Sequence, residues 1–334
     1  MKQYTMDEMD GGIGISNLPK SHHASLSVRS CNFNAMIVGS HGLGKTTFLS
    51  QFFGIPALRK KPFPTKSTNK YWYNEDICNI QVSTAKAVES DFTVTFTLVE
   101  VDCIGDSVNN TECHGPLVDL LEINFKDFED KLKDSVRALI DDKRVHLCFY
   151  MLEPLDSIKA IDLDVMKAIS RYCNIVPVVA KADLIDVNQI ENIRRSMRDQ
   201  MDTSNIMPYE DKKNGCTAPF FVVLGPINNE SLQEERNHPW GNLELRELAQ
   251  NEFYKLQVFI LERSIVYLKN ETEFFYDNYR TTKLASYLME TGKGEENKAI
   301  FMRLEEYRKE IKEIKNRIKR KKQDQENGHL SAAE

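Results

Sequence analysis

Short apolar runs separated by helix-length amphipathic stretches make up the middle of the chain. Phe33 to Val38 (FNAMIV) is apolar and brief, glycines follow, and Thr46 to Phe53 continues as a helix, so the order is strand, turn, helix. Phe92 to Val101 (FTVTFTLVEV), rich in Thr, Val and Phe, reads as a strand with both faces covered. Val145–Leu152, Val176–Ala180 and Phe220–Leu224 are further runs of strand length. Amphipathic segments of helical length lie between them, around Leu117–Asp142, Ile161–Tyr172 and Val187–Met201. Such alternation predicts an α/β fold with a mostly parallel sheet and crossover helices.

The remaining segments carry other patterns. Residues 1–30 are polar, contain Gly, Ser and His, and read as a flexible N-terminal arm. Ala57 to Tyr73, just after Pro56, holds Pro62, Pro64 and a scatter of basic residues, which suits a loop. Near the C-terminus, Ile300, Leu304, Tyr307, Ile311, Ile314 and Ile318 form an a/d seam with Glu and Lys around it. The seam runs for under three heptads, so it reads equally as a helix packing its stripe on its own domain and as a short coiled-coil pairing segment. The expected organisation is an arm over 1–30, a domain over 31–285 and a helical, coiled-coil-like basic tail over 286–334.

Composition narrows the setting. The 334 residues hold 44 Lys plus Arg against 50 Asp plus Glu, a formal charge of −6, which argues against a general nucleic-acid binder. The 7 Cys are odd in number and form no CxxC pair, so neither a disulfide framework nor a zinc site is indicated. Met1 to Asp10 carries acids where a signal peptide has a basic end and an apolar core, and no run reaches the roughly 20 apolar residues of a membrane span. The expectation is a cytoplasmic protein in a reducing compartment.

The first strand–helix junction carries candidate chemistry. Gly39-Ser40-His41-Gly42-Leu43-Gly44-Lys45-Thr46 fits G-x-x-x-x-G-K-[ST] in the strand-to-helix setting that the phosphate loop requires. There the backbone N–H groups curl around a β-phosphate, Lys45 neutralises β/γ oxygens, and the Thr46 hydroxyl ligates Mg²⁺. His41 has no catalytic partner in the sequence pattern and reads as a loop side chain. Further on, Val178-Val179-Ala180-Lys181-Ala182-Asp183 ends a strand with K-x-D. A carboxylate there can accept from the N1–H and the exocyclic amine of guanine, a donor pair that adenine lacks.

At this point the chain resembles a septin. Gly14-Ile-Ser-Asn-Leu-Pro19 is similar to the family's N-terminal signature, and Gly42-Leu-Gly-Lys-Thr-Thr47 to its phosphate loop. Arg144-Val-His-Leu-Cys-Phe-Tyr150 resembles its central strand, and Asn174 to Asp183 its guanine strand. Arg236-Asn-His-Pro-Trp-Gly241 resembles the R-x-Y-P-W-G element that separates septins from other small GTPases. The likeness covers about residues 14–280. It implies a Ras-like P-loop GTPase fold with septin-specific C-terminal helices, binding GTP or GDP with Mg²⁺, and subunits that join other septins into hetero-oligomeric filaments or rings. It also implies a cytoskeletal location at the cortex or division site and a role in septum formation or cytokinesis. In that reading Gly39, Ser40, His41, Gly42, Leu43, Gly44, Lys45, Thr46 and Thr47 hold the phosphates. Lys181 and Asp183 hold the base, the backbone at Leu224 and Gly225 closes over it, and Arg236 reaches it from the septin element. Pro239 and Trp240 would lie near the interface that shares the nucleotide.

Several positions depart from the family pattern. Hydrolysis needs D-x-x-G at a strand end, for the Mg²⁺-linked carboxylate and the γ-phosphate-sensing glycine. In the ungapped register Glu100 and Cys103 stand at those places; shifted by two, Asp102-Cys-Ile-Gly105 supplies a literal D-x-x-G on the same strand face. Ile77 stands where the switch threonine is expected, with Thr65, Ser67 and Thr68 earlier in the loop, and an apolar side chain has no oxygen for a metal. Positions that reach a partner's nucleotide read Ser170, Leu184 and Gln189, and His238 replaces the usual Tyr. The expectation is a septin that binds GTP and hydrolyses it slowly or not at all; the alternatives are a slow GTPase switch using Asp102 and Gly105, and an ATP-dependent P-loop enzyme. Residues 20–32 carry only Lys20 and Arg29 as fixed positive charges, so contact with acidic membrane lipid would fall to Arg59-Lys-Lys61 or Arg317–Lys322.

Overall fold

The computed structural model describes residues 31–54, 79–89, 92–102, 104–105, 110, 113–134, 142–211, 215–225, 235–238 and 241–290. The arm over 1–30, the basic loop over 57–73, Ile77, Cys103, Pro239, Trp240 and the seam beyond 290 lie outside the described residues.

A six-stranded sheet runs in the order β2-β3-β1-β4-β5-β6. Its strands are β1 (Cys31–Gly39), β2 (Asn79–Glu89), β3 (Phe92–Asp102), β4 (Leu147–Leu152), β5 (Asn174–Val179) and β6 (Phe220–Phe221). Neighbours from β3 to β6 pair in parallel, while β2 runs antiparallel to β3 from Asn79 opposite Asp102 to Glu89 opposite Phe92. The long β2 escapes the apolar-run signal because it is an edge strand: Val82 is exposed, and polar residues alternate through it.

Alternation along the strands divides the core into two faces. Met36, Val38, Cys148, Tyr150, Ile175 and Val179 point to one side, where they meet α2 (Gly115–Asp134), α3 (Ala160–Ile169) and α4 (Ile190–Thr203). Phe33, Ala35, Ile37, Phe149, Met151 and Val178 point to the other, against α1 (Lys45–Phe52), α5 (Phe253–Val258) and the start of α6 (Ile265–Glu290). The helices are amphipathic at the spacing this requires: α4 buries Ile190, Ile193, Met197 and Met201, and α2 buries Leu117, Leu120, Leu121, Phe125 and Phe128. Between α5 and α6 a π-helical turn spans Phe259–Ser264, its extra residue accommodated by the Ser264 hydroxyl, which donates to the Phe259 carbonyl at 2.8 Å. A two-stranded hairpin, β7 (Glu235–His238) with β8 (Gly241–Glu244), follows the sheet.

Two compact units divide at Phe275 and Tyr276, inside α6. The described part of the second unit is helical, and its Lys283 ammonium stands 4.7 Å from the Tyr279 ring centroid. No helix among the described residues is long and apolar enough to cross a membrane.

Candidate functional site

Because β1, β3, β4, β5 and β6 are parallel, their C-terminal ends share one edge of the sheet, the place where open α/β sheets bind ligands. The phosphate loop, the end of β3, the K-x-D turn and the segment after β6 all lie there.

The phosphate loop is tightly built. β1 ends at Gly39, where a Cβ would fall 2.7 Å from the Met151 carbonyl oxygen, so only glycine lets β1 leave the sheet beside β4. Gly44 caps α1 in the left-handed conformation (φ +84°) with no side-chain cap, which leaves the first N–H groups of the helix directed outward for an anion. Leu43 is buried, Ser40, Thr46 and Thr47 are half-buried, and His41 and Gly42 are exposed. Lys45 is buried, and its ammonium donates to Gly39 O at 2.9 Å and Ser40 O at 2.8 Å while pairing with Asp102 Oδ1 at 2.8 Å. The Thr46 hydroxyl donates to Glu100 Oε1 at 2.6 Å.

Glu100 and Asp102 share a face of β3, as residues two apart on a strand must. Burial pushes the Glu100 carboxyl above the usual range, the Thr46 hydrogen bond opposes that, the neighbouring Asp102 charge adds to it, and Lys45 again opposes. Gly105 is left-handed (φ +84°), and its carbonyl accepts from Asn110 Nδ2 at 3.3 Å.

The K-x-D side of this edge is assembled from three segments. After β5, Lys181 takes a left-handed conformation (φ +53°), a strained choice for a residue with a Cβ. It opens the 3₁₀ turn Ala182–Leu184, and the Ala182 N–H is anchored on Val222 O at 3.1 Å. Asp183 Oδ2 accepts from Arg236 Nη1 at 2.8 Å, and Arg236 Nε donates to Leu224 O at 2.9 Å. The hairpin residue thus bridges the K-x-D carboxylate and the segment after β6.

That segment departs from the expected Phe220–Leu224 strand: ladder pairing covers Phe220 and Phe221, and from Val223 onward side chains take the place of a neighbouring strand. Asn251 binds both backbone groups of Val223, accepting from its N–H and donating to its carbonyl, each at 3.1 Å, and donates to Leu245 O at 2.9 Å. Gln51, on the phosphate-loop helix, donates to Gly225 O at 3.0 Å. The Leu224 side chain lies 3.5 Å from where a Gly44 Cβ would be. The phosphate loop, the segment after β6 and the K-x-D turn are therefore contiguous. Gln51 and Asn251 carry no motif in the sequence, since each acts on a partner far along the chain.

Of the other sequence candidates, Ser170 Oγ donates to Lys167 O at 2.9 Å, Leu184 is 71% exposed, and Gln189 precedes α4 and is exposed. A separate open groove of about 570 Å³ lies against α3 and α4, lined by Leu163, Asn192, Arg195 and Ser196 among others, and no phosphate-loop or K-x-D residue borders it. Among the described residues no group of three or more His, Cys, Asp or Glu converges as an all-protein metal site. Thr46 with Glu100 nevertheless presents two hard oxygens 2.6 Å apart beside the phosphate loop, which fits Mg²⁺ held by few side chains and completed by phosphates and water.

A family model described as "Septin" matches residues 29–293. A protein of Encephalitozoon cuniculi named "Cell division control protein 3" is 34% identical over 301 residues, 82% of this chain and 81% of its own length. "Septin-2B" of Xenopus laevis is 28% identical, covering 84% of each chain. In structure, the septin GTPase domain of Chlamydomonas reinhardtii superposes with a TM-score of 0.58 at 19% identity, over 76% of this chain and 99% of that one, which shows a shared fold.

Proposed function

Because this chain belongs to the septin family, we propose that it is a guanine-nucleotide-binding subunit that joins other septins in filaments or rings at the cell cortex or division site, with GTP hydrolysis weak or absent. The observation that carries the nucleotide part is the contiguity of Lys45, Thr46 and Glu100 with Asp183, Arg236 and Leu224 along the C-terminal edge of one parallel sheet.

Each residue has a distinct task. Loop N–H groups and the α1 N-terminus receive phosphate oxygens, and Lys45 adds a full positive charge. Asp183 accepts from the Watson–Crick edge of guanine, Lys181 flanks the base, and the backbone of Leu224 and Gly225, held by Arg236 and Gln51, walls it. Arg236 links base and hairpin. Mg²⁺, held through Thr46 with Glu100, would neutralise phosphate charge.

The Thr46–Glu100 hydrogen bond also bears on turnover. It supports the register in which Glu100 is the metal-linked carboxylate, and three residues further on the chain has Cys103 in place of the sensing glycine. In the competing register Asp102 would have to serve the metal, yet its carboxylate engages Lys45. A pocket that holds nucleotide without turning it over acts as a fixed structural element, and its occupancy sets the surrounding surface for a neighbouring subunit. Multiple-turnover phosphate release from GTP tests this: the expected rate is at or near the uncatalysed background, and sustained turnover that Asp102→Asn or Gly105→Ala abolishes would establish the switch reading instead.

A further inference from the structure

The three ammonium protons of Lys45 are all engaged: by Gly39 O at 2.9 Å, Ser40 O at 2.8 Å and Asp102 Oδ1 at 2.8 Å. An arriving phosphate oxygen bonds Nζ only by displacing one of them. Two are carbonyls of the loop that carries the lysine; the third is a carboxylate at the end of β3. We propose that Asp102 is a specificity-determining residue that biases the pocket toward a guanine nucleoside diphosphate and against the triphosphate, an inference that rests on the nucleotide-site reading.

A phosphate oxygen at a hydrogen-bond length of ~2.8 Å from Lys45 Nζ lies at most about 5.6 Å from the Asp102 oxygen that shares this ammonium. Like charges at that separation in a partly buried crevice repel appreciably. Asp102 is 24% exposed, so water reaches its carboxylate without fully screening it.

The two terminal phosphates are unequally compensated. A β-phosphate sits in the cradle of loop N–H groups and at the uncapped α1 N-terminus, which offset the carboxylate. A γ-phosphate lies beyond the cradle and depends chiefly on the lysine and the metal ion. Here that lysine is shared with Asp102. The triphosphate thus brings its extra negative charge to the part of the pocket least able to receive it.

Equilibrium titration of the purified full chain with GDP and with guanosine 5′-(β,γ-imido)triphosphate, at one fixed free Mg²⁺ concentration, tests the proposal. Wild type is expected to bind the diphosphate about tenfold or more tightly than the triphosphate analogue. Asp102→Asn keeps the shape and an acceptor for Lys45, and is expected to bring the ratio near unity, mainly through tighter triphosphate binding. A structural role would weaken both nucleotides together and leave their ratio alone. Triphosphate binding as tight as diphosphate in wild type, or an unchanged ratio in Asp102→Asn, overturns the proposal. If that variant does not fold, Asp102→Ser takes its place, and the wild-type ratio decides by itself. Folded wild type that binds neither nucleotide refutes the site reading and this proposal with it, a result distinct from binding without discrimination.

Discussion

At the scale of single residues, what matters at the site is which partner each charge has. The phosphate-loop lysine and the K-x-D carboxylate were legible in the sequence because their chemistry is fixed by local spacing, G-x-x-x-x-G-K-[ST] before a helix and K-x-D after a strand. The Lys45–Asp102 and Arg236–Asp183 pairs were not, because they join residues that only the folded sheet edge brings together. The same holds for His146, read in sequence only as part of a central-strand motif. It is buried, stacked on Phe33 with ring centroids 5.5 Å apart, and its Nδ1 accepts from the Asn34 N–H at 2.9 Å. Burial foremost drives its pKa down to about 4, with Asp142 opposing and Lys269 and Arg144 assisting.

An unfolded histidine protonates near pH 6.5, so this site contributes its full stability above that pH and loses it as pH falls toward 4, by up to about 3 kcal/mol. His146→Gln keeps an acceptor for Asn34 and removes the titration. Denaturant midpoints measured from pH 7 to pH 4 are expected to fall less steeply in the variant, and parallel curves would refute the assignment.

At the scale of elements, periodicity located the buried strands and the amphipathic helices, since burial on two faces or on one leaves a direct record in side-chain polarity. It missed β2, whose edge position tolerates polar residues, and the π-helical turn, which depends on one extra residue within a helix that is otherwise regular. It also overextended the strand at Phe220, where an apolar run continues after the ladder stops because Asn251, Arg236 and Gln51 satisfy the backbone instead. Arg194 has a comparable bracing role. From α4 it donates to Thr217 O at 2.8 Å, Pro219 O at 2.7 Å and Glu252 Oε2 at 3.0 Å, tying that helix to the approach to β6 and to the residue before α5. Arg194→Ala removes the guanidinium from two carbonyls and from the Glu252 carboxylate, which keeps the Phe221 N–H at 3.1 Å, and is expected to lower unfolding free energy by about 3 kcal/mol. Urea denaturation checks this; a change under ~1 kcal/mol would mean that water replaces the guanidinium.

At the scale of the whole molecule, family membership and fold agree with what the motifs implied, and the departures from the family pattern form two sets: Glu100, Cys103 and Ile77 at the positions tied to hydrolysis, and Ser170, Leu184 and Gln189 at those that reach a partner's nucleotide, with His238 in the septin element. The K-x-D turn keeps the Asp183 carboxylate proposed to read the base, and Arg236 of the hairpin donates to it at 2.8 Å. The proposed function follows from that pattern: a guanine nucleotide kept as a lasting part of the subunit, with neighbouring subunits meeting a surface that the nucleotide shapes. Calorimetric titration of the purified chain with GDP and with ADP, in Mg²⁺ buffer, tests this most directly. The account expects GDP to bind with a dissociation constant in the micromolar range or below, ADP at least about a hundredfold more weakly, and the difference to collapse in Asp183→Ala. Equal affinity for the two nucleotides in wild type, or no heat from either at millimolar concentration, would contradict it.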